Sequence, residues 1–204
     1  MYKLGITGGM GAGKSTAADF FLQKGAIVFN ADNEAKQHLK SHIDLQNRII
    51  DLFGAPVIRK NCLDLLKLSE YAFSNQDLQN TLNNIIWPEV HALIVSAADK
   101  AELDGADLFV VDAALLLEAG FTDFFNSILL ITANKSIRVK RSQLRNNIPK
   151  DQIEKRMSLQ MPELEKQKRT HSIIKNNSNI QKLHLQLELF WKKLNINTTQ
   201  DLTP

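Results

Sequence analysis

Brief apolar runs recur along the chain at residues 3–7, 26–31, 108–114, 127–133 and 172–175, and they are mostly β-branched. Helical patterns separate most of them, so the runs predict strands of a parallel sheet covered by helices on both faces. Between the second and third runs lies a long stretch, residues 33–103, whose apolar positions recur at helical spacing. Leu45, Ile49, Ile50, Leu52 and Phe53 show it, as do Leu78, Leu82, Ile85 and Ile86. This predicts a helical insertion. A second helical insertion is predicted at residues 136–170, after the fourth strand. Residues 196–204 are polar and predict a short flexible tail. There is no internal repeat and no low-complexity tract.

The chain has 204 residues, 44% of them apolar, enough for one core with insertions that cover a cleft. The single cysteine, Cys62, cannot form an internal disulfide, which suits a reducing compartment and points to the cytoplasm. The N-terminal residues read as a strand and lack the charged and long apolar regions of a signal peptide. No apolar run approaches a membrane span. Net charge is only +3, yet residues 135–193 hold fifteen Lys or Arg against five Asp or Glu. That bias fits a polyphosphate pocket, a nucleic-acid surface or a solvated helix face. The basic half has no compact Lys/Arg run interleaved with aromatics, which argues against nucleic acid.

The strongest chemical signal follows the first strand. Gly8-Gly-Met-Gly-Ala-Gly13-Lys14-Ser15-Thr16 matches G-x-x-x-x-G-K-[ST] in full. Glycines let such a loop turn tightly with its N–H groups inward, and the helix that starts near Lys14 adds its dipole, so a phosphate finds a preformed anion site. The amphipathic run Ala17, Phe20, Phe21 and Lys24 then stops at Gly25, as a helix with a C-terminal glycine does. Gly9, Gly11, Ala12, Gly13, Lys14, Ser15 and Thr16 are therefore the expected nucleotide-binding residues, for ATP if the chain is a kinase. Lys14 is placed to bridge the β- and γ-phosphates, and Ser15 to offer its hydroxyl to Mg²⁺. The motif alone gives nucleotide binding; GTPases, ATPases and kinases share it.

Further residues narrow the chemistry. Asp32 closes the second predicted strand, at the sheet edge where ligands bind in open parallel folds. It can take the proton of an attacking hydroxyl or help to position Mg²⁺, or it can simply cap the next helix. Asp112 ends the third strand after an apolar run, the arrangement of a magnesium-binding Walker B aspartate; the alternative is a capping or turn role. Glu118 reads as a surface or helix residue. Arg138, Lys140, Arg141 and Arg145 fall within two helical turns, with Arg141 and Arg145 on one face. Arginines on a flap can stabilise charge on a transferred phosphoryl group; the alternative is a solvated basic face.

Taken together, these residues resemble the dephospho-CoA kinase family, nearly along the whole chain. The resemblance is carried by residues 5–16, by Asn30-Ala-Asp32 with Ala35-Lys-Gln37, and by Phe53-Gly54. It continues through residues 111–120, the Arg141 and Arg145 pair, Arg156 with Gln160, and residues 173–177. It implies an α/β fold of nucleoside-monophosphate-kinase type, with a five-stranded parallel sheet. The nucleotide-binding core would be residues 1–32, 104–135 and 171–195, with a helical acceptor domain for the coenzyme at 33–103 and a lid at 136–170. The implied reaction is ATP- and magnesium-dependent phosphorylation of the ribose 3′-hydroxyl of dephospho-CoA, the last step of coenzyme A synthesis. In that family Asp32 corresponds to the catalytic base, Arg141 to the lid arginine near the ATP phosphates, and Asn176 to a position close to the adenine.

The chain has Asn30 where the family usually has Asp, Leu65 in the region of an Arg, Trp87 in place of His before Pro88, and Ala114 in place of Pro. All four bear on the acceptor more than on phosphoryl transfer. Other readings are a different small-metabolite kinase, such as a nucleoside monophosphate kinase, and a nucleotide-binding protein without catalysis. The expected partner is a small molecule, with neither nucleic acid nor membrane, and the pattern sets no oligomeric state.

Overall fold

The structure, a computed structural model, describes residues 1–146, 149–194 and 196. In chain order the elements are β1 (Tyr2–Thr7), α1 (Lys14–Gln23), β2 (Ile27–Asn30), α2 (Ala31–Ser41), α3 (Ile43–Phe53), β3 (Ile58–Arg59), β4 (Cys62–Leu63), α4 (Leu65–Ala72) and α5 (Gln76–Leu103). Then follow β5 (Leu108–Asp112), β6 (Ser127–Thr132), α6 (Lys135–Asn146), α7 (Lys150–Ser158), α8 (Glu163–Lys168), β7 (Ser172–Lys175) and α9 (Ile180–Leu194). The chain divides into two compact units, residues 1–31 with 94–204, and residues 32–93.

The first unit is built on one parallel sheet of five strands in the order β2-β5-β1-β6-β7. This is the expected α/β class, and its strands fall on the five predicted apolar runs. The pattern of burial explains why those runs were legible. Every residue of β5 and β6 is buried, so both faces of these strands demand apolar side chains. Helix α1 packs Ala17, Phe20 and Phe21 into a core with Leu4, Ile6, Leu108, Val110, Leu129 and Ile131, and α9 adds Leu183, Leu187 and Phe190. β1 is the middle strand, and the glycine loop leaves its C-terminal end, where ligands bind in folds of this kind.

The second unit is helical, with Leu39, Leu45, Ile49, Phe53, Val57, Leu68, Ala72 and Leu82 as its core. Caps fix its helix starts: His42 Nδ1 accepts from the Leu45 N–H at 3.3 Å, and Asp64 Oδ1 from Leu66 and Lys67 at 2.9 and 3.1 Å. The Asp64 carboxyl lies below its ordinary range, chiefly because of the Lys67 N–H bond, with burial opposing the shift and the Leu66 bond and Arg59 reinforcing it. One feature departs from the expected all-helical insertion. β3 and β4 form an antiparallel pair whose turn residues Lys60 and Asn61 both have positive φ, 50° and 63°. Two-residue strands are too short to leave a period in the sequence.

Helices α6, α7 and α8 fall on the predicted helical insertion at residues 136–170, with α6 starting one residue earlier, at Lys135. The tail expected at 196–204 lies outside the described residues except Ile196, which packs against the first core. Among the described residues, no helix is long and apolar enough to cross a membrane.

Candidate active site around the glycine loop

Residues 8–13 leave β1 and enter α1 at Lys14 without an ordinary side-chain cap. Gly13, at the N-cap, has φ 103°, in the left-handed region that a side chain resists. A Cβ there would also collide with Asn176 Nδ2. Asn176 is buried, and that nitrogen donates to the Ala12 carbonyl at 2.9 Å. The loop after β7 is thereby tied to the loop after β1. The Asn176 N–H in turn donates to the Thr132 carbonyl at 2.7 Å, which fixes this loop to the end of β6.

Lys14 and Asp112 come together as a largely buried ion pair. The Lys14 ammonium lies 3.9 Å from Asp112 Oδ1, with 13% and 4% of the two side chains exposed. β2 and β5 pair Asn30 directly with Asp112, and Asn30 Nδ2 donates to Asp112 Oδ2 at 3.4 Å. A neutral amide here avoids the like-charge repulsion that a second carboxylate would bring to Asp112. Ser15, in the first turn of α1, is 3.5 Å through its hydroxyl from Arg145 Nη1. Thr16 follows it in the same turn and is partly buried. Ser15 and Asp112 supply hard oxygen donors, the kind Mg²⁺ takes when phosphate and water complete its shell.

Arg141 and Arg145, both in α6, have separate contacts. Arg141 donates from Nη1 to the Asn176 carbonyl at 3.0 Å and from Nη2 to the Ser178 carbonyl at 3.1 Å. Arg145 is exposed and reaches Ser15. Gly9, Gly11, Ala12, Gly13, Lys14, Ser15, Thr16, Asp112, Arg141, Arg145 and Asn176 all belong to the first unit. Asp32 is the first residue of the second, an exposed side chain in the acidic first turn of α2. Since α2 begins at Ala31, Asp32 lies inside the helix rather than at its cap.

Three residues matter more here than the sequence suggested. Glu118 is largely buried and ion-paired to Lys166 at 2.8 Å. Lys166, with 1% of its side chain exposed, also donates to the Ala114 carbonyl at 3.0 Å, and the Met161 N–H donates to Glu118 Oε1 at 2.9 Å. Gln160 Oε1 accepts the N–H of Met10, inside the glycine loop, at 3.2 Å. Lys166 sits in the charged run Glu163-Leu-Glu-Lys-Gln-Lys, and nothing in that run marks one lysine as buried.

The family model for dephospho-CoA kinase matches residues 2–182. The chain belongs to the dephospho-CoA kinase family. A dephospho-CoA kinase from Salinibacter ruber is 32% identical over 193 residues, covering 94% of this chain and 97% of that one. A crystal structure of TT1252 from Thermus thermophilus superposes with a TM-score of 0.79 at 28% identity, over 95% of this chain and 98% of its own. A dephospho-CoA kinase from Campylobacter jejuni shares the fold at a TM-score of 0.66 and 22% identity, over 94% and 96% of the two chains. The family is one of kinases in coenzyme A biosynthesis, so ATP is the phosphoryl donor it implies.

Four further positions that the sequence singles out have distinct places. Asn30 borders Asp112, Ala114 supplies the carbonyl that Lys166 grips, Leu65 opens α4 and packs on the core of the second unit, and Trp87 precedes Pro88 within α5.

Proposed function

We propose that this kinase transfers the γ-phosphoryl group of ATP to the ribose 3′-hydroxyl of dephospho-CoA, giving coenzyme A and ADP. The observation that carries the reading is the Lys14–Asp112 pair, 3.9 Å apart at the mouth of a complete phosphate loop, in a chain of this family. The loop residues Gly9, Gly11, Ala12 and Gly13 present backbone N–H groups to the phosphates. Lys14 supplies a fixed charge for the β- and γ-phosphates, and Thr16 belongs to the same nucleotide site. Ser15 and Asp112 would hold Mg²⁺, directly or through water. When bound, that ion neutralises charge on the phosphates.

In the reaction the 3′-oxygen forms a bond to the γ-phosphorus as the bond to the ADP oxygen breaks. The hydroxyl proton passes to the Asp32 carboxylate. Residues 136–170 act as the lid, residues 33–103 as the acceptor domain, and the core divides as residues 1–32, 104–135 and 171–195. Arg141 and Arg145 stabilise charge on the transferred group. Arg141 does so by exchanging the carbonyls of Asn176 and Ser178 for phosphate oxygens, and Asn176 lies by the adenine. The enzyme so described works in the cytoplasm on small molecules and has no nucleic-acid partner.

The deciding experiment incubates the protein with ATP, Mg²⁺ and dephospho-CoA, and reads coenzyme A by mass spectrometry beside parallel reactions with nucleoside monophosphates. Coenzyme A as the dominant product supports the reading, and its absence beside a phosphorylated monophosphate replaces it. Lys14→Ala is expected to abolish product while leaving the fold intact, because the other loop contacts to phosphate are backbone N–H groups.

A further inference from the structure

Three successive residues of the glycine loop are each met by the segment that follows β6. A Cβ on Gly9 would collide with Arg138 Nη1. The Met10 N–H is taken by Gln160 Oε1 at 3.2 Å. A Cβ on Gly11 would collide with the Arg138 carbonyl and come within 2.7 Å of the buried Ser142 hydroxyl. Arg138 therefore touches the loop twice, by its backbone at Gly11 and by its guanidinium at Gly9. Its other side faces α8, where Nη2 lies 3.7 Å from Glu163 Oε2, and only 13% of its side chain is exposed. Neither Arg141 nor Arg145 is held in this way.

We propose that Arg138 is a positioning residue for ATP: it presses on the crest of the phosphate loop at Gly9 and Gly11, and Glu163 holds its guanidinium in place. The inference rests on the reading of this loop as the ATP site. The physical argument concerns rigidity. A glycine-rich loop loses more conformational freedom on ordering than any other backbone, so its inward N–H groups stay aligned for phosphate only if something outside them holds the loop still. α1 fixes the loop at Lys14 and β1 fixes it at Thr7. Gly9–Gly11 is the span between, and Arg138 covers it. Gly9 carries no left-handed backbone that would demand glycine; its missing side chain is what leaves room for the guanidinium.

The test measures ATP and dephospho-CoA kinetics for wild type, Arg138→Ala, Gly9→Ala and the double variant. Arg138→Ala is expected to raise the KM for ATP about 10-fold, the scale of one lost charged contact. The KM for dephospho-CoA is expected to stay within about twofold, a split that a general loss of packing does not produce. Gly9→Ala forces the guanidinium off the loop and is expected to show the same pattern with Arg138 still present. Combining the two is expected to be no worse than either alone, because both remove one contact. Single variants within about twofold of wild type for ATP, or losses that multiply in the double variant, overturn the proposal. A wild type that does not turn over ATP overturns the reading beneath it and the inference with it. Should Arg138→Ala fail to fold, Arg138→Gln, which keeps much of the side chain and removes its charge, decides on the same KM split.

Discussion

Lys166 and Glu118 form a 2.8 Å ion pair in which the lysine is almost entirely withdrawn from water, and the same ammonium holds the Ala114 carbonyl at 3.0 Å. The pair joins α8 to the segment after β5, six residues beyond Asp112. A charge so placed is tolerated only with its partner. Lys166→Met leaves Glu118 unpaired and is expected to cost about 3 kcal/mol or more, a fall in melting temperature of roughly 6–12 °C for a chain of this size. The double variant Lys166→Met with Glu118→Gln is expected to recover part of the loss. Thermal melts of the three proteins check it, and a single variant that melts like wild type refutes the pairing.

Asp32 lies in the first turn of α2, where a negative charge meets the helix dipole. Asp32→Asn removes that charge but keeps a similar shape, so the melting temperature is expected to change little. As the proton acceptor, the carboxylate is irreplaceable by an amide, and turnover is expected to fall roughly 10²- to 10⁴-fold with ATP affinity largely kept. Unchanged turnover in steady-state assays rules out the catalytic role.

Arg141 and Arg145 are expected to differ in kind. Each alanine variant is expected to lower turnover by about 10²-fold or more, the scale of a lost electrostatic contact in a transition state. Arg141→Ala is also expected to raise the KM for ATP, since the guanidinium that exchanges the Asn176 and Ser178 carbonyls for phosphate oxygens is gone. If both variants keep turnover within about twofold of wild type, the solvated-face reading of this helix stands instead.

Glu89 in α5 accepts from Arg48 at 2.9 Å and lies 3.3 Å from His38. Burial by itself would raise its carboxyl, but the bonds and charges of Arg48 and His38 hold it below the ordinary glutamate value. A lowered folded pKa means that this contribution to stability is complete above the unfolded pKa and is lost as pH falls through the folded one. Melting temperature is therefore expected to drop on acidification below the ordinary glutamate range, and Glu89→Gln to melt lower near neutral pH with a shallower acid decline. Parallel acid declines in the two proteins count against the coupling.

Much of this kinase is legible in its residues alone. Strands β5 and β6 could be read because buried parallel strands must be apolar on both faces. The phosphate loop could be read because its chemistry resides in backbone turns that only a local run of glycines permits, with Lys14 and Ser15 at a set distance along the chain. What tertiary structure decided is how charges far apart in sequence are matched. Lys166 resembles its neighbouring lysines until folding carries it 2.8 Å from Glu118, far away along the chain. Arg138 resembles Lys140 until α6 lies against Gly9. Helical periodicity states which face of α6 or α8 is polar, but a polar face may meet water, a carboxylate or a loop backbone, and only the packing of one element on another selects among them.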